Sequence, residues 1–266
     1  MGQAHLGTAL VTGASSGIGA VYAERLARRG YDLILVARNR DRLDVLAQRI
    51  GNETGRKIQT IVADLGDPAA LGLVEAKLRE DASVSLLVNN AGVGTHKSLL
   101  DSDVDAMAKM IELNVTALTR LTYAAAPQFV ARGTGAIINI ASIAAITPEL
   151  LNGVYGGSKA FVLALSQSLH HELADKGVRV QAVLPGATAT EFWEIGGLPL
   201  ENLPKEIVMS ASDMVDAALT GFDLGELVTI PSLHAIDAWN QLEASRGALA
   251  AQLSNNTPAP RYAGVQ

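Results

Sequence analysis

The chain contains 266 residues, carries a formal net charge of −6 at pH 7 and has no cysteine. This length fits one large α/β domain, whose core needs no disulfides to be stable. The absence of cysteine excludes thiol catalysis and is consistent with a reducing compartment. An acidic chain without a basic stripe suits neither nucleic acid nor acidic membranes, and its apolar stretches are too short or interrupted to cross a bilayer. We therefore expect a cytoplasmic protein that binds neither.

Short apolar runs alternate with helical segments along the chain. Apolar strands separated by helices of ten or more residues indicate a parallel sheet covered on both faces. The sequence therefore predicts an α/β fold with a doubly wound, Rossmann-like parallel sheet, built as a single domain over residues 1–266. The predicted strands are 8–12, 32–37, 57–63, 84–88, 136–140, 178–184 and 226–230. The predicted helices are 20–29, 41–50, 68–81, 101–131, one through Tyr155 and Lys159, 211–222 and a helical tail, with an irregular stretch at 185–210.

A glycine-rich turn, TGASSGIG at residues 12–19, follows the first predicted strand and opens the first predicted helix. Glycines let the backbone approach a pyrophosphate, and a helix N-terminus offers unpaired N–H groups with a partial positive charge. The spacing is Gly-x-x-x-Gly-x-Gly rather than the common Gly-x-Gly-x-x-Gly. A plain tight turn is the alternative, but the position between strand and helix favours a nucleotide site.

The end of the second predicted strand is where a dinucleotide-binding protein reads the adenosine ribose. An acidic residue about twenty positions beyond the first glycine would bind a 2′-hydroxyl. Here residues 36–39 read Val-Ala-Arg-Asn without a carboxylate, and Asp32 lies at the opposite end of the strand. Arg38 offers a planar guanidinium suited to a 2′-phosphate. The sequence thus favours NADP(H), with NAD(H) and a solvated surface arginine as the alternatives.

Tyr155 and Lys159 are four positions apart within a predicted helix, so they share one helix face. An ammonium beside a phenol favours the phenolate. With the charge of an oxidised nicotinamide nearby, we expect the Tyr155 pKa to fall from about 10 to roughly 7–9. Such a phenol can donate and accept a proton near neutral pH. A half-buried tyrosine beside a solvated lysine is the alternative that this pair alone leaves open.

The combination of motifs resembles the short-chain dehydrogenase/reductase family. The glycine turn, the NNAG sequence at 89–92, Ser142, the Tyr155–Lys159 pair and Pro185-Gly186 occur in the order and approximate spacing of that family. The resemblance covers essentially the whole chain and concerns the single-domain members. It implies an oxidoreductase that interconverts a carbonyl and a secondary alcohol by hydride transfer.

The resemblance also implies roles for individual residues. Tyr155 would be the acid/base, with Lys159 lowering its pKa and holding the nicotinamide ribose. Ser142 would hydrogen-bond the reacting oxygen, and Asn114 would hold a water of the proton relay. The residues implied at the cofactor are Gly13, Ser15, Ser16, Gly17, Ile18, Gly19, Arg38, Asp64, Leu65, Asn90, Ala91, Gly92, Tyr155, Lys159, Pro185, Gly186, Thr188 and Thr190.

The irregular stretch at about 187–210 is predicted to form a substrate lid. It carries Phe192 and Trp193, and Gly196-Gly197 gives it a hinge. Its apolar character favours a lipophilic small molecule, although both aromatic rings could instead pack the lid onto the body. His96, in a loop after NNAG, is a weaker candidate for substrate contact. The predicted substrate-binding residues are Ser142, Pro148, Leu150, Tyr155, Phe192 and Trp193.

Two other classes of protein share parts of this pattern. A dinucleotide-sensing regulator would need the glycine turn but not the Ser142, Tyr155 and Lys159 set. A sugar-nucleotide epimerase usually has a larger C-terminal domain than the roughly eighty residues after Pro185. No metal site is predicted, because the histidines are scattered and cysteine is lacking. The family resemblance further implies a homodimer or homotetramer, paired through the helices at 101–131 and around Tyr155.

Overall fold

The computed structural model describes residues 6–262. The chain divides into two compact units, Met1–Ser232 and Leu233–Gln266. The first unit contains the main sheet, and the second contains the long helix Ile236–Ala250. All site residues predicted from the sequence belong to the first unit.

Parallel strands form the framework of the first unit. The strands are β1 (Thr8–Thr12), β2 (Asp32–Ala37), β3 (Ile58–Val62), β4 (Val84–Asn89), β5 (Gly135–Ile140), β6 (Val178–Val183), β7 (Thr188–Ala189), β8 (Met209–Ser210) and β9 (Val228–Thr229). Seven of them form one sheet in the order β3-β2-β1-β4-β5-β6-β9, with every neighbouring pair parallel, while β7 pairs with β8. The strand order reverses between β1 and β4, and ligands bind at such a reversal, outside the carboxyl ends of the strands.

Helices cover both faces of this sheet. In the first unit these helices are α1 (Gly17–Arg29), α2 (Arg40–Thr54), α3 (Pro68–Glu80), α4 (Val104–Ile111), α5 (Leu118–Arg132), α6 (Gly153–Leu173), α7 (Phe192–Ile195) and α8 (Ala211–Asp223), while the second unit contains α9 (Ile236–Ala250). One apolar cluster packs α1, α2 and α8 on one face, and a second packs α3, α5 and α6 on the other. Because both faces are buried, the strands read as nearly continuous apolar runs.

The predicted Rossmann-like sheet is confirmed, and each predicted main strand is present within a few residues. The helical prediction for 101–131 needs a correction. The helix begins at Val104 and is interrupted by a π-helical turn, Glu112–Ala117, before α5 begins. Such a turn adds one residue to the helical repeat, which apolar periodicity does not reveal, and it is frequent at functional sites.

The predicted lid region is irregular in the structure as well. Between β7 and β8 it contains the single turn α7 and two short 3₁₀ turns, Leu200–Asn202 and Lys205–Ile207. Among the described residues, no helix combines the length and apolarity needed to cross a membrane.

Candidate active site

The glycine turn joins β1 to α1 at the carboxyl edge of the sheet. Gly13 and Gly17 have φ angles of 63° and 52°, which L side chains rarely adopt. A β-carbon on Gly19 would lie 2.6 Å from Nδ2 of Asn90, so this glycine is needed for close packing of turn and helix. The turn therefore presents backbone, rather than side chains, to the crevice.

The N-terminus of α1 is open toward that crevice. In the part of the chain that the structure describes, Ser16 makes no side-chain capping hydrogen bond, and the first turn of α1 holds no acidic residue. Ser15, Ser16 and Ile18 are partly buried beside it. Unpaired N–H groups at a helix N-terminus bind phosphate oxygens. The geometry of this turn fits the pyrophosphate of a dinucleotide.

The side chain of Asn90 supports the glycine turn. Its Nδ2 donates to the carbonyl oxygens of Thr12 (2.9 Å) and Gly13 (3.2 Å). Oγ1 of Thr12 in turn accepts from the backbone N–H groups of Asn90 (2.9 Å) and Ala91 (3.0 Å). These hydrogen bonds fix the segment 90–92 beside the glycine turn. The segment therefore lines the crevice mainly with backbone atoms and with the small residues Ala91 and Gly92.

Three residues predicted at the cofactor lie just after the ends of two neighbouring strands. Arg38 follows β2 and is exposed, and within residues 6–262 it makes no side-chain hydrogen bond or ion pair. Asp64 follows β3 and accepts from the backbone N–H of Gly66 at 3.0 Å, while Leu65 beside it is buried. The structure thus brings Arg38 and Asp64–Leu65 to one edge and leaves the guanidinium available to an anion.

Tyr155 and Lys159 occupy the first two turns of α6, and both side chains are buried. Nζ of Lys159 lies 5.8 Å from the Tyr155 ring centroid and donates to the carbonyl oxygen of Ile140 at 2.8 Å. Ser142 is also buried, and its Oγ accepts from the N–H of Ala144 at 3.1 Å. The three predicted catalytic side chains are therefore brought together at the ends of β5 and α6.

The protonation of this pair differs from the sequence-based expectation. Burial raises the pKa of Tyr155 to about 12, with an opposing hydrogen bond from Ser142 that lowers it. Burial also lowers the pKa of Lys159 to about 8. Without a cofactor the direction is opposite to the expected fall to 7–9, because removal of the phenol from water outweighs the hydrogen bond from Ser142. That value included the charge of an oxidised nicotinamide, which no side chain replaces.

Asn114 lies in the π-helical turn, next to this group. Its Oδ1 accepts from the N–H of Val93 at 2.9 Å, and its Nδ2 donates to Val93 O at 2.8 Å and to Oγ of Ser158 at 3.1 Å. A β-carbon on Gly92 would lie 3.1 Å from Oδ1 of Asn114 and 3.5 Å from Nζ of Lys159. Asn114 is thus close to Lys159, with its amide held by the backbone.

The segment after β6 returns to the glycine turn. Pro185 and Gly186 follow the strand, and Oγ1 of Thr188 donates to Gly186 O at 3.1 Å, so this hydroxyl is engaged within the turn. Thr190 lies against the glycine turn, since a β-carbon on Gly17 would be 3.1 Å from its Cγ2. The beginning of the lid therefore adjoins the N-terminus of α1.

The aromatic residues of the lid have different roles. The Phe192 ring covers Tyr155, with centroids 5.6 Å apart and an interplanar angle of 50°. Trp193 packs edge-on against Phe192 and donates from Nε1 to Thr188 O at 2.9 Å, which ties α7 to β7 at the start of the lid. Phe192 is thus placed at the candidate catalytic group, whereas Trp193 holds the lid.

Two other predicted substrate residues stand on the 3₁₀ turn Pro148–Leu150, just before α6. Gly156 is needed under this turn, because a β-carbon there would lie 2.9 Å from Cα of Pro148. Leu150 is 56% exposed and is therefore accessible to an apolar ligand.

Sequence patterns did not reveal the hydrogen bonds that position the loop after β4. Nδ1 of His96 lies 2.9 Å from the carbonyl oxygen of Gly196, in the lid. Asn152, the N-cap of α6, donates from Nδ2 to Lys97 O (2.8 Å) and to Oγ of Ser102 (3.1 Å). The N-cap position itself was recognisable from an asparagine before a helix, but its long-range partners were not.

The described residues contain no group of three or more His, Asp or Glu side chains able to hold a metal ion. A parallel sheet with a glycine-rich turn at its reversal point, and a buried Ser–Tyr–Lys group beside it, is the arrangement expected of a dinucleotide-dependent oxidoreductase. The family model for short chain dehydrogenases matches residues 7–195. The chain belongs to this family. It is an NAD(P)-dependent oxidoreductase that acts on alcohols and carbonyls.

Similar proteins agree with this class. A short-chain dehydrogenase from Sphingobium yanoikuyae, in complex with NADPH, is 50% identical, with a TM-score of 0.94 over 97% of this chain and 100% of that one. The bulky-bulky ketone specific alcohol dehydrogenase from Comamonas testosteroni is 47% identical, with a TM-score of 0.90 over 98% and 100% of the two chains. The very-long-chain 3-oxoacyl-CoA reductase of Bos taurus is 37% identical over 238 residues, 87% of this chain and 76% of its own length.

Proposed function

We propose that the protein reduces bulky, apolar ketones and oxidises the matching secondary alcohols with NADP(H), using Tyr155 as the proton donor and acceptor. The observation that carries this proposal is the buried group of Ser142, Tyr155 and Lys159 beneath Phe192, next to a turn that fits a dinucleotide phosphate. Family membership and the named activities of the relatives favour this over a dinucleotide-sensing regulator.

The residues present fit NADP(H). The open N-terminus of α1, with Ser15 and Ser16, would hold the pyrophosphate, and the exposed guanidinium of Arg38 would hold the 2′-phosphate. Lys159 is the candidate for the nicotinamide ribose. When bound, the nicotinamide supplies hydride transfer, and the protein supplies binding, orientation and proton transfer.

The protonation state of Tyr155 follows from the burial of its side chain. A Tyr155 pKa raised to about 12 keeps the phenol protonated at neutral pH, which is the form that donates a proton to a carbonyl oxygen. Alcohol oxidation needs the phenolate instead, and nearby positive charge and hydrogen bonds to its oxygen stabilise this form. The Ser142 hydroxyl, whose interaction with Tyr155 lowers the pKa of that phenol, would orient the same oxygen.

The substrate class is supported by the lid and by the relatives. Phe192 packs against Tyr155, the exposed Leu150 lies on the turn just before α6, and the Comamonas enzyme is specific for bulky-bulky ketones. The bovine relative acts on a 3-oxoacyl-CoA, and coenzyme A carries phosphate groups that need cations near the site mouth. Lys205 is the one lysine or arginine in the lid at 187–210, so we favour a neutral ketone over a CoA thioester.

A carbonyl panel read by NADPH absorbance tests this function. We expect a bulky neutral ketone to be reduced faster than a short keto acid or a 3-oxoacyl-CoA. Tyr155→Phe should lower the rate by about 10²- to 10⁴-fold, because it removes the positioned proton, while NADPH affinity stays near wild type. Tyr123→Phe, at a 67% exposed tyrosine, is the control and should keep full activity. Near-normal turnover in Tyr155→Phe would contradict the assignment.

The preference for NADP(H) is tested at Arg38. We expect wild-type protein to bind NADPH more tightly than NADH. Arg38→Asp should reverse the order, because it removes a charge-assisted contact of about 1.5–3 kcal/mol and adds an acceptor for the ribose hydroxyl. Fluorescence titration with both cofactors measures the affinities, and equal affinities in wild type would contradict the preference.

A further inference from the structure

One ion pair connects the adenosine side of the crevice with the lid. Arg42 lies in the first turn of α2, four residues beyond Arg38, and Glu191 directly precedes α7. Nη1 of Arg42 donates to Oε2 of Glu191 at 2.6 Å, although the two residues are 149 positions apart. The guanidinium holds the pKa of Glu191 below its usual value, so both groups are charged at neutral pH.

The backbone on both sides of this pair is fixed. The N–H of Arg42 donates to Oδ1 of Asn39 at 3.0 Å, which caps α2 at the end of β2. On the other side, Thr190 adjoins Glu191 and packs against the glycine turn at Gly17. The pair therefore runs from the end of β2 to the lid, past the turn that the pyrophosphate is proposed to occupy.

The ion pair between Arg42 and Glu191 is exposed to solvent, and this exposure limits the roles that it can have. The side chains of Arg42 and Glu191 are 49% and 47% exposed. An exposed ion pair contributes little to the stability of a fold and is weakened by salt. It can nevertheless open and close without uncovering apolar surface, so it suits a contact that forms and breaks during a catalytic cycle.

We propose that Arg42 and Glu191 form a clasp that closes over the adenosine–pyrophosphate half of the bound dinucleotide and slows its release. This inference rests on the proposed function, because it takes NAD(P)(H) to be the bound ligand. Closure ties the start of the lid to α2, so the dinucleotide leaves only after the pair opens. Because the clasp bridges two protein groups, it acts on NADPH and NADH alike.

A different role for the same residues makes the opposite prediction. If Arg42 left Glu191 to bind the 2′-phosphate, Glu191 would compete with that phosphate for the guanidinium. Neutralising Glu191 would then strengthen NADPH binding and leave NADH unchanged. The two roles are therefore separated by the sign of the effect and by its dependence on the 2′-phosphate.

Stopped-flow displacement of bound NADPH and NADH measures the release rates. We expect Arg42→Gln and Glu191→Gln each to speed release of both cofactors about two- to fivefold, the range of an exposed ion pair. The double variant should release no faster than either single variant. Exchanging the charges, with Arg42→Glu and Glu191→Arg together, should restore slow release. Added KCl should speed release more from wild type than from the double neutral variant, because salt screens the proposed cofactor contact of Arg38 in both proteins and the ion pair only in wild type.

The control is an exposed ion pair away from the crevice. Nη2 of Arg28 donates to Oε2 of Glu53 at 3.1 Å, and Glu53→Gln should leave both release rates unchanged. Melting temperatures of the cofactor-free variants verify that they fold.

Several outcomes would overturn the clasp. Unchanged release rates of both cofactors in the two single variants would contradict it. Slower release of NADPH from Glu191→Gln, with an unchanged release rate of NADH, would also contradict it. A wild-type protein that binds neither cofactor would overturn the clasp and the proposed function together. If the release rates change as expected but the wild-type protein reduces no ketone, the proposed function alone would be contradicted.

Discussion

At the scale of single residues, the spacing of residues along the sequence predicted which side chains lie close together. It did not predict the protonation states of those side chains. Tyr155 and Lys159 share a helix face because they are four positions apart, and this followed from the sequence. Their pKa values depend on burial, which arises when α6 packs beside β5 and beneath the lid. The same limit applies to Asn90, whose side chain bonds the glycine turn through contacts that no local pattern encodes.

Lys159 gives a stability prediction with a definite sign. Its pKa falls from 10.5 to about 8 on folding, so between these values the unfolded chain holds a proton that the folded chain has lost. Stability should therefore rise with pH across this window. Lys159→Met removes the titrating group. Between pH 7 and pH 9.5, we expect the free energy of unfolding of wild type to increase by on the order of 1–3 kcal/mol relative to that of Lys159→Met.

Urea unfolding of the cofactor-free protein at several pH values measures this difference. Tyr155, whose raised pKa reduces stability only above about pH 10, stays outside the range. Lys109→Met, at an exposed lysine of α4, should follow the pH dependence of wild type. Parallel stability curves for wild type and Lys159→Met would show that the buried ammonium does not carry the effect.

At the scale of elements, the parallel sheet was predictable because its strands are buried on both faces. Short apolar runs between long helices are compatible with few folds besides a covered parallel sheet, and all seven main strands lie where the pattern placed them. The π-helical turn at Glu112–Ala117 and the shape of the lid were not predictable. Both depend on long-range bonds, such as those of Asn114 to Val93 and of His96 to Gly196.

The contact between the lid and the loop after β4 gives a second prediction, at Gly94. A β-carbon there would overlap the edge of the Phe192 ring and lie 2.9 Å from Cδ2 of Tyr155. Because the ring edge belongs to the lid, Gly94→Ala should displace Phe192 rather than the sheet. We expect kcat/KM for a bulky ketone to fall about tenfold, since small misplacements at a reacting centre are costly.

Cofactor affinity separates this effect from misfolding. Gly94→Ala should keep wild-type NADPH affinity, because the glycine turn and Arg38 are not touched. Gly72→Ala, in α3, is the matched control: a β-carbon there meets nothing within 4 Å, so activity should be unchanged. Wild-type kcat/KM in Gly94→Ala would mean that Phe192 does not shape the substrate site.

At the scale of the whole molecule, the proposed self-association rests on fewer residues than the sequence suggested. Several apolar side chains of the predicted pairing helices lie in the protomer's own core. Those that are buried are Met110, Leu118, Leu121 and Leu169, whereas Met107 and Leu165 are partly buried and Phe161 is 39% exposed. Apolar composition alone could not separate a core face from an interface, because both need the same residue types.

A surface feature of α5 is a candidate place for this proposed association. A hollow of about 310 Å³ lies between α3 and α5, and Oγ1 of Thr119 is buried there without a hydrogen-bond partner among the described residues. Tyr123, one turn further along α5, is 67% exposed beside it. The residues that line the hollow are Glu75, Arg79, Thr119, Arg120 and Tyr123.

We expect wild-type protein to have the mass of a dimer or tetramer by light scattering at micromolar concentration. A stable interface buries roughly 800 Å² on each partner, with exposed aromatic residues as its usual anchors. Tyr123→Glu and Phe161→Glu would each place a charge in such an interface, and each should raise the dissociation constant at least about tenfold. Leu224→Glu, at a 74% exposed leucine just after α8, should leave the mass unchanged. A monomer mass for wild type would contradict association, and unchanged mass in both glutamate variants would place the interface elsewhere.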